Sequence, residues 1–310
     1  MIDRFVCSAA SAARDERVLA TASQVRGWLL VEVHGAWGRD AVHDSHLGAH
    51  LPDGWKADLQ LRGIRPICIR PSLSNRPEDT DTARVFFVQG ARPGRTEGVV
   101  WSRTLPTLAA VRHVTDDLRL GTDPVGWERH HDRVVLVCTN GKHDPCCATQ
   151  GRPVVRHLRE SRWAAQVWEC SHIGGDRFAA NLVVLPDSLY FGRMEPAEAE
   201  GLLDAHAEGR VALEWFRGRS TLGFAEQAAE HELRRALDVR GIDDIELGPS
   251  PEDGRIRAHV HGVGTIDVVV ERTVIELDER LTCHGTPNQK VPTYAVTELI
   301  EVEGPPGPSS

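Results

Sequence analysis

One order of apolar runs occurs twice along this chain, and that repetition restricts its fold more than any other feature. In the first half, residues 28–33 (WLLVEV) read as a strand, 51–61 have helical spacing, and 66–69 (PICI) read as a second strand. Strands at 84–88 (RVFFV) and 98–102 (GVVWS) follow, then a helix predicted over 105–120. The second half runs through a strand at 133–137 (RVVLV), a helix near 153–161 and a strand at 165–169 (AQVWE). Strands at 181–185 and 189–193 then flank the hairpin turn Pro186-Asp187-Ser188, and a helix is predicted over 196–208.

Each half therefore reads β-α-β-β-β-α. A strand, a crossing helix, a parallel strand and a hairpin closed by a helix is the order of a thioredoxin-type layered sheet. The expected fold is α/β, with tandem thioredoxin-like units and a small C-terminal α+β unit. The C-terminal unit rests on an amphipathic helix at 224–237, with Ala228, Leu233, Ala236 and Leu237 near one face. Alternating runs at 256–261, 265–270 and 274–277 predict antiparallel strands after it. Expected boundaries are 1–125, 126–215 and 216–303, with 304–310 (GPPGPSS) a disordered tail that offers nothing to bury.

Two loops of the second half carry the chemistry. The strand at 133–137 runs into Cys138, and a polar loop, 139–143, follows. Asp144-Pro145 has the chemistry of an N-cap and a first helical residue. Cys146 and Cys147 then fall in a first helical turn, where outward N–H groups favour a thiolate. Taken alone, Cys138 equally fits a small packed hydrophobe. In the second loop Cys170 and His172 lie two apart and face one way on an extended backbone. Gly174-Gly175 permits a turn closed to other residues, and Asp176 follows. If the two preceding strands are parallel neighbours, both loops emerge at one carboxyl edge, where α/β sheets place their ligand sites. Thiolates from Cys138 and Cys147 with the imidazole of His172 suit zinc or an iron–sulfur centre by softness. The close Cys and His pairs of zinc sites are absent, so a two-iron cluster with mixed ligation is the better match.

Composition narrows the rest. A net charge of −9 argues against nucleic acid, which needs clustered Lys and Arg. No apolar run has the length of a membrane span, and the first twenty residues lack the pattern of a secretory signal. Seven cysteines, an odd and low count for this length, point to a reducing cytoplasm rather than a disulfide scaffold. Neither a phosphate-binding Gly-rich loop nor a nucleophile elbow is found, and no carboxylate pair is placed for glycoside hydrolysis.

At the two loops the sequence resembles the sucrase/ferredoxin-like family, a branch of the thioredoxin-like 2Fe-2S ferredoxins. The pieces that carry the resemblance are VCTNGKHDPCC with GRPV following, CSHIGGDRFAANLVVLP and LYFGRM, supported by CSAAS, WLLVEVHGAWG and LTCHG. The resemblance implies a 2Fe-2S cluster held by two Cys of the first motif and two His of an HxGGH motif. Cys138, Cys147 and His172 match, whereas the second His position is Asp176. The fourth ligand is then Asp176, through oxygen, or Cys170 as a third sulfur. Arg177, Asn181 and His143 are candidates for hydrogen bonds around the ligands, although Lys142 and His143 also fit simple solvation of the loop.

Outside the two loops, Cys146 reads as a spare residue beside a ligand, Cys7 and Cys68 as structural, and His259 and His261 as solvent-facing. Cys283-His284 sits in a polar loop with no assigned role. The expected function is single-electron transfer with an unidentified redox partner protein, rather than stand-alone catalysis. The alternatives are a metal-free thiol–disulfide oxidoreductase using Cys138, Cys146 or Cys147, and a zinc-stabilised binding module.

Overall fold

The computed structural model describes residues 5–71, 82–92, 97–248 and 255–302. The expected tail at 304–310 lies outside them. The first half contributes helix α1 (Cys7–Ala13), strand β1 (Gly27–Glu32), helices α2 (Ala41–Asp44) and α3 (Trp55–Leu61), and strands β2 (Ile64–Pro71), β3 (Ala83–Gln89), β4 (Val99–Leu105) and β5 (Glu128–His130). The second contributes β6 (Val134–Cys138), α4 (Pro145–Leu158), β7 (Val167–Cys170), β8 (Leu182–Leu185), β9 (Leu189–Phe191), α5 (Pro196–Ala207) and β10 (Phe216–Arg219). Helix α6 (Phe224–Leu237) and strands β11 (Ile245–Leu247), β12 (Arg255–Val260), β13 (Gly264–Leu277) and β14 (Gln289–Val302) complete the chain.

The result is a mixed α/β structure with one large and one small sheet. Among the described residues the large sheet has ten strands, in the order β10-β9-β8-β6-β7-β2-β1-β3-β4-β5. Strand β1 pairs in parallel with β2 and antiparallel with β3, and β6 does the same with β7 and β8. The halves meet where β2 runs antiparallel to β7, with Ile69 opposite Cys170. Every residue of β1 and of β6 is buried, which explains why these strands are continuous apolar runs rather than alternating ones. The small sheet runs β11-β12-β13-β14.

Three local expectations change. The helix predicted over 105–120 is only a 3-10 segment at Leu108–His113 with Val111 as its one buried residue. Thr, Val and Asp around it are weak helix formers, although Leu105, Val111 and Leu118 are buried in the core with residues of β1 and β3. The runs at 265–270 and 274–277 form the single strand β13, continuous through Glu271-Arg272-Thr273 because its outer half is exposed. Strand β14, paired with β13 along its length, has no counterpart among the expected strands, and Pro292 within it is tolerated because β14 is an edge.

Helix α6 spans its predicted range, but its buried face is largely polar. Ala228 and Leu233 are buried as expected, Ala236 is exposed, and Glu226, Gln227, Glu230 and Arg234 are buried instead. Glu230 Oε1 accepts from Arg234 Nη2 at 2.9 Å and from Arg219 Nη2, on β10, at 3.4 Å. Burial pushes the Glu230 carboxyl up, yet the two guanidiniums outweigh it and hold it below the ordinary value. Glu230→Ala, which strands both cations, is expected to cost about 3–5 kcal/mol in urea unfolding, and a change below about 1 kcal/mol would contradict this. Because the folded pKa is depressed, the stability from this group is complete above roughly pH 4.3 and drains as pH falls through the folded value.

Candidate metal centre

The parallel pairing of β6 and β7 sets Cys138 opposite Cys170. The Thr139 N–H then donates to the Cys170 carbonyl at 3.1 Å, carrying the ladder one step past the strand ends. Asp144 caps α4 by accepting from the Cys146 N–H at 2.9 Å, and Pro145 occupies the first turn. That start places Cys147 over the end of β6. Helix α4 begins at Pro145, as the Asp144-Pro145 cap predicts, and runs without a break through Pro153 to Leu158, so the helix expected near 153–161 is its second half and ends three residues sooner. Gly151 makes its close approach to the strand feasible, since a Cβ there would lie 2.1 Å from the Cys138 carbonyl oxygen.

Cys138, Cys147 and Cys170 form a buried sulfur group; each is 1% exposed or less. The neighbouring sulfurs of Cys147 and Cys170 draw the Cys138 thiol well below the ordinary value despite burial. Cys147 is raised by its bond to Cys138 and by burial, and Cys170 is raised chiefly by burial.

A second group adjoins it. His172 Nδ1 lies 2.9 Å from Asp176 Oδ1, and His143 Nε2 lies 3.7 Å from Asp176 Oδ2. The two imidazoles stack with centroids 3.7 Å apart. The groups touch where the Cys147 thiol donates to Asp176 Oδ1 at 3.1 Å. Burial would raise the Asp176 carboxyl, but His172, Cys147 and His143 outweigh it and hold it below its usual value. His143 is lowered by burial and by the neighbouring His172. The His172 and His143 side chains are 26% and 30% exposed, whereas Asp176 is only 4% exposed. Their outer edge borders a cleft of about 880 Å³ lined by residues that include Arg39, Lys56, Arg65 and Asn140.

The loop that carries His172 and Asp176 is held by its carbonyls. Arg65 Nη2 donates to His172 O at 2.9 Å, and Tyr190 and Ser23 donate to Ile173 O at 3.2 and 3.0 Å. Arg217 Nη1 donates to Gly174 O at 3.0 Å, and Asn181 Nδ2 to Gly175 O at 2.8 Å. Gly174 and Gly175 have φ of 100° and 81°, and a Cβ on Gly175 would lie 2.3 Å from the Arg217 guanidinium. Arg217 also donates to Asn181 Oδ1 at 2.7 Å, and burial lowers its pKa only to about 10, so it stays cationic.

All five expected ligand candidates, Cys138, Cys147, Cys170, His172 and Asp176, thus meet at one rim, with His143 and Asn181 beside them. Arg177 instead pairs with Glu16 at 2.7 Å. Arg65 and Arg217, which no sequence motif singles out, fix the loop; both are distant from it in the chain and carry no local pattern. Cys146 turns away, towards Cys7 and Cys283, and His259 and His261 are exposed. Cys68 is buried and donates to Ala41 O at 3.3 Å. The close fit of α4 onto β6 is checked by Gly151→Ala. Despite a gain of about 1 kcal/mol in helix propensity, the variant is expected to lose a net 1–3 kcal/mol, roughly, in urea unfolding. Stability equal to the parent would refute the contact.

The sucrase/ferredoxin-like family profile matches residues 18–218. A search of curated proteins finds no match. Among solved structures, a variant of the thioredoxin-like 2Fe-2S ferredoxin from Aquifex aeolicus aligns at 15% identity, covering 28% of this chain and 100% of its own, with a TM-score of 0.25. Among the described residues no helix is long and apolar enough to cross a membrane.

Proposed function

The chain belongs to the sucrase/ferredoxin-like family, and from that premise we propose that it binds a 2Fe-2S cluster through Cys138, Cys147, His172 and Asp176 and passes single electrons. In this reading the two halves of the large sheet are thioredoxin-like units in tandem, the second of which bears the cluster, and α6 with β11–β14 forms a small C-terminal unit; the boundary expected at 216 moves past β10, because that strand is the edge of the large sheet.

The observation that carries the reading is the division of the rim into a sulfur end and an imidazole–carboxylate end, in contact through Cys147 and Asp176. Two-iron centres of mixed ligation divide their donors in this way, with thiolates on one iron and imidazoles on the other. A further observation tests the fit: His172 Nδ1 is buried and, although near Asp176, makes no hydrogen bond of acceptable geometry. A metal ion is the partner that would satisfy it. When bound, the cluster supplies one-electron chemistry. The protein's part is to hold the donors, bury the sulfur end and present the imidazole end to the cleft, where a redox partner would approach.

Asp176 is the favoured fourth ligand because it occupies the imidazole end opposite the thiols. His143, stacked on His172, is the next candidate and would restore two imidazoles; Cys170 lies at the sulfur end. Metal-free thiol exchange has one observation in its favour, the depressed Cys138 thiol. The 1% exposure of that residue weighs against it, since exchange needs an accessible sulfur.

Protein purified without oxygen is expected to be reddish brown, with about two iron and two sulfide per chain. Cys138→Ser and Cys147→Ser should abolish the colour. Asp176→Ala, His143→Ala and Cys170→Ala, compared by absorption spectrum and iron content, identify the fourth ligand. Colourless, iron-free parent protein after anaerobic reconstitution would refute the proposal.

A further inference from the structure

Three of the seven cysteines gather apart from this rim. Cys7 opens α1, Cys146 lies in the first turn of α4, and Cys283 lies between β13 and β14. The Cys146 sulfur is 3.5 Å from that of Cys7 and 3.5 Å from that of Cys283. Asp144 Oδ2 is 3.6 Å from the Cys7 sulfur, and Oδ1 is 3.7 Å from it. One donor atom from each of the four residues fits within a mutual distance of 4.8 Å. Cys7, Asp144 and Cys146 are 1%, 1% and 3% exposed.

We propose that Cys7, Cys146, Cys283 and Asp144 form a second metal site that holds one tetrahedral zinc ion. With zinc–sulfur bonds of about 2.3 Å and a zinc–oxygen bond of about 2.1 Å, tetrahedral geometry spaces the sulfurs about 3.8 Å apart and sets the oxygen about 3.6 Å from each. The spacings of the Cys146 sulfur to those of Cys7 and Cys283, and of the Asp144 carboxylate to the Cys7 sulfur, are close to those values. They are far longer than the bond of about 2.05 Å in a disulfide, and none of the seven cysteines is in one. A polynuclear iron–sulfur core would hold its thiolates further apart than a single ion does.

The carboxylate is already oriented for this role. Asp144 Oδ1 accepts from the Cys146 N–H at 2.9 Å and Oδ2 from the Cys283 N–H at 2.8 Å, leaving a lone pair on each oxygen. The Cys7 N–H points to the Cys283 sulfur at 3.5 Å, so backbone donors offset part of the charge of three thiolates. Soft sulfur donors with one carboxylate suit zinc. The ion would join the N-terminal helix, the first turn of α4 and the C-terminal hairpin, adding to the ion pair of Arg14 with Glu279. It would also brace the turn that bears Cys147 without ligating through it. The site stands independently of the cluster reading.

The full-length chain is purified anaerobically from medium containing zinc and iron, and its metals are counted by elemental analysis and native mass spectrometry. About one zinc per chain is expected in the parent and in Cys138→Ser. Zinc should fall at least tenfold in Cys7→Ser and Cys283→Ser, with the iron of Cys283→Ser retained. Zinc X-ray absorption of the parent, which needs no variant to fold, should show three sulfurs and one oxygen. Parent protein without zinc, zinc that persists in Cys283→Ser, or a Cys7–Cys146 disulfide in the mass would overturn the proposal. So would zinc lost with Cys138→Ser, or iron and zinc lost together in Cys283→Ser, because the two centres would then not be separate.

Discussion

The parallel, in-register pairing of β6 with β7 is the constraint on which the rest of the site depends. Parallel neighbours end at the same edge, so the loop after Cys138 and the loop after Cys170 must leave the sheet side by side. In that register Val135 lies opposite Val167 and Cys138 opposite Cys170. Helix α4 is then laid over the end of β6 by the crossing connection. Its capped first turn delivers Cys147 to the thiols of Cys138 and Cys170. Donors from the first motif, Cys138 and Cys147, and from the second, Cys170, meet because the sheet brings the two motifs to one edge.

The loop from His172 to Asp176 has no ladder of its own, and buried side chains replace one. Four successive carbonyls, those of residues 172–175, accept from Arg65, Tyr190, Ser23, Arg217 and Asn181. Arg217 has only 1% exposure and donates to carbonyl and amide oxygens. A guanidinium offers five donors in a fixed plane, which suits it to hold several acceptors at once. Burying such a cation is costly, and hydrogen bonds to it are the strong kind that offset the cost. Rigid support of this sort keeps donor atoms within the small tolerance that a metal centre demands.

Much of the rim is legible in the sequence, for a physical reason. Strands buried on both faces must be apolar throughout, so β1 and β6 announce themselves, and Asp144-Pro145 marks a helix start that fixes Cys147. Sulfur and imidazole at two strand ends then imply a meeting point. The features that are not legible depend on partners remote in the chain. Arg65 and Arg217 look like ordinary surface cations until the fold aims them at loop carbonyls. His143 reads as a solvated loop residue, yet its ring lies on that of His172. The buried polar face of α6 is hidden for a similar reason, since Glu230 and Arg234 are buried only because Arg219 completes their pairing. Cys146 reads as a spare neighbour, yet the thiols it approaches are 139 and 137 residues away in sequence.

Iron held between a sulfur end and an imidazole end is the condition for the proposed electron transfer. Electron paramagnetic resonance of the dithionite-reduced protein, with nitrogen couplings resolved by pulsed methods, tests this directly. A reduced two-iron signal with a strongly coupled nitrogen that disappears in His172→Cys is the predicted result. A signal without nitrogen coupling in the parent, or no paramagnetic centre on reduction, would contradict it.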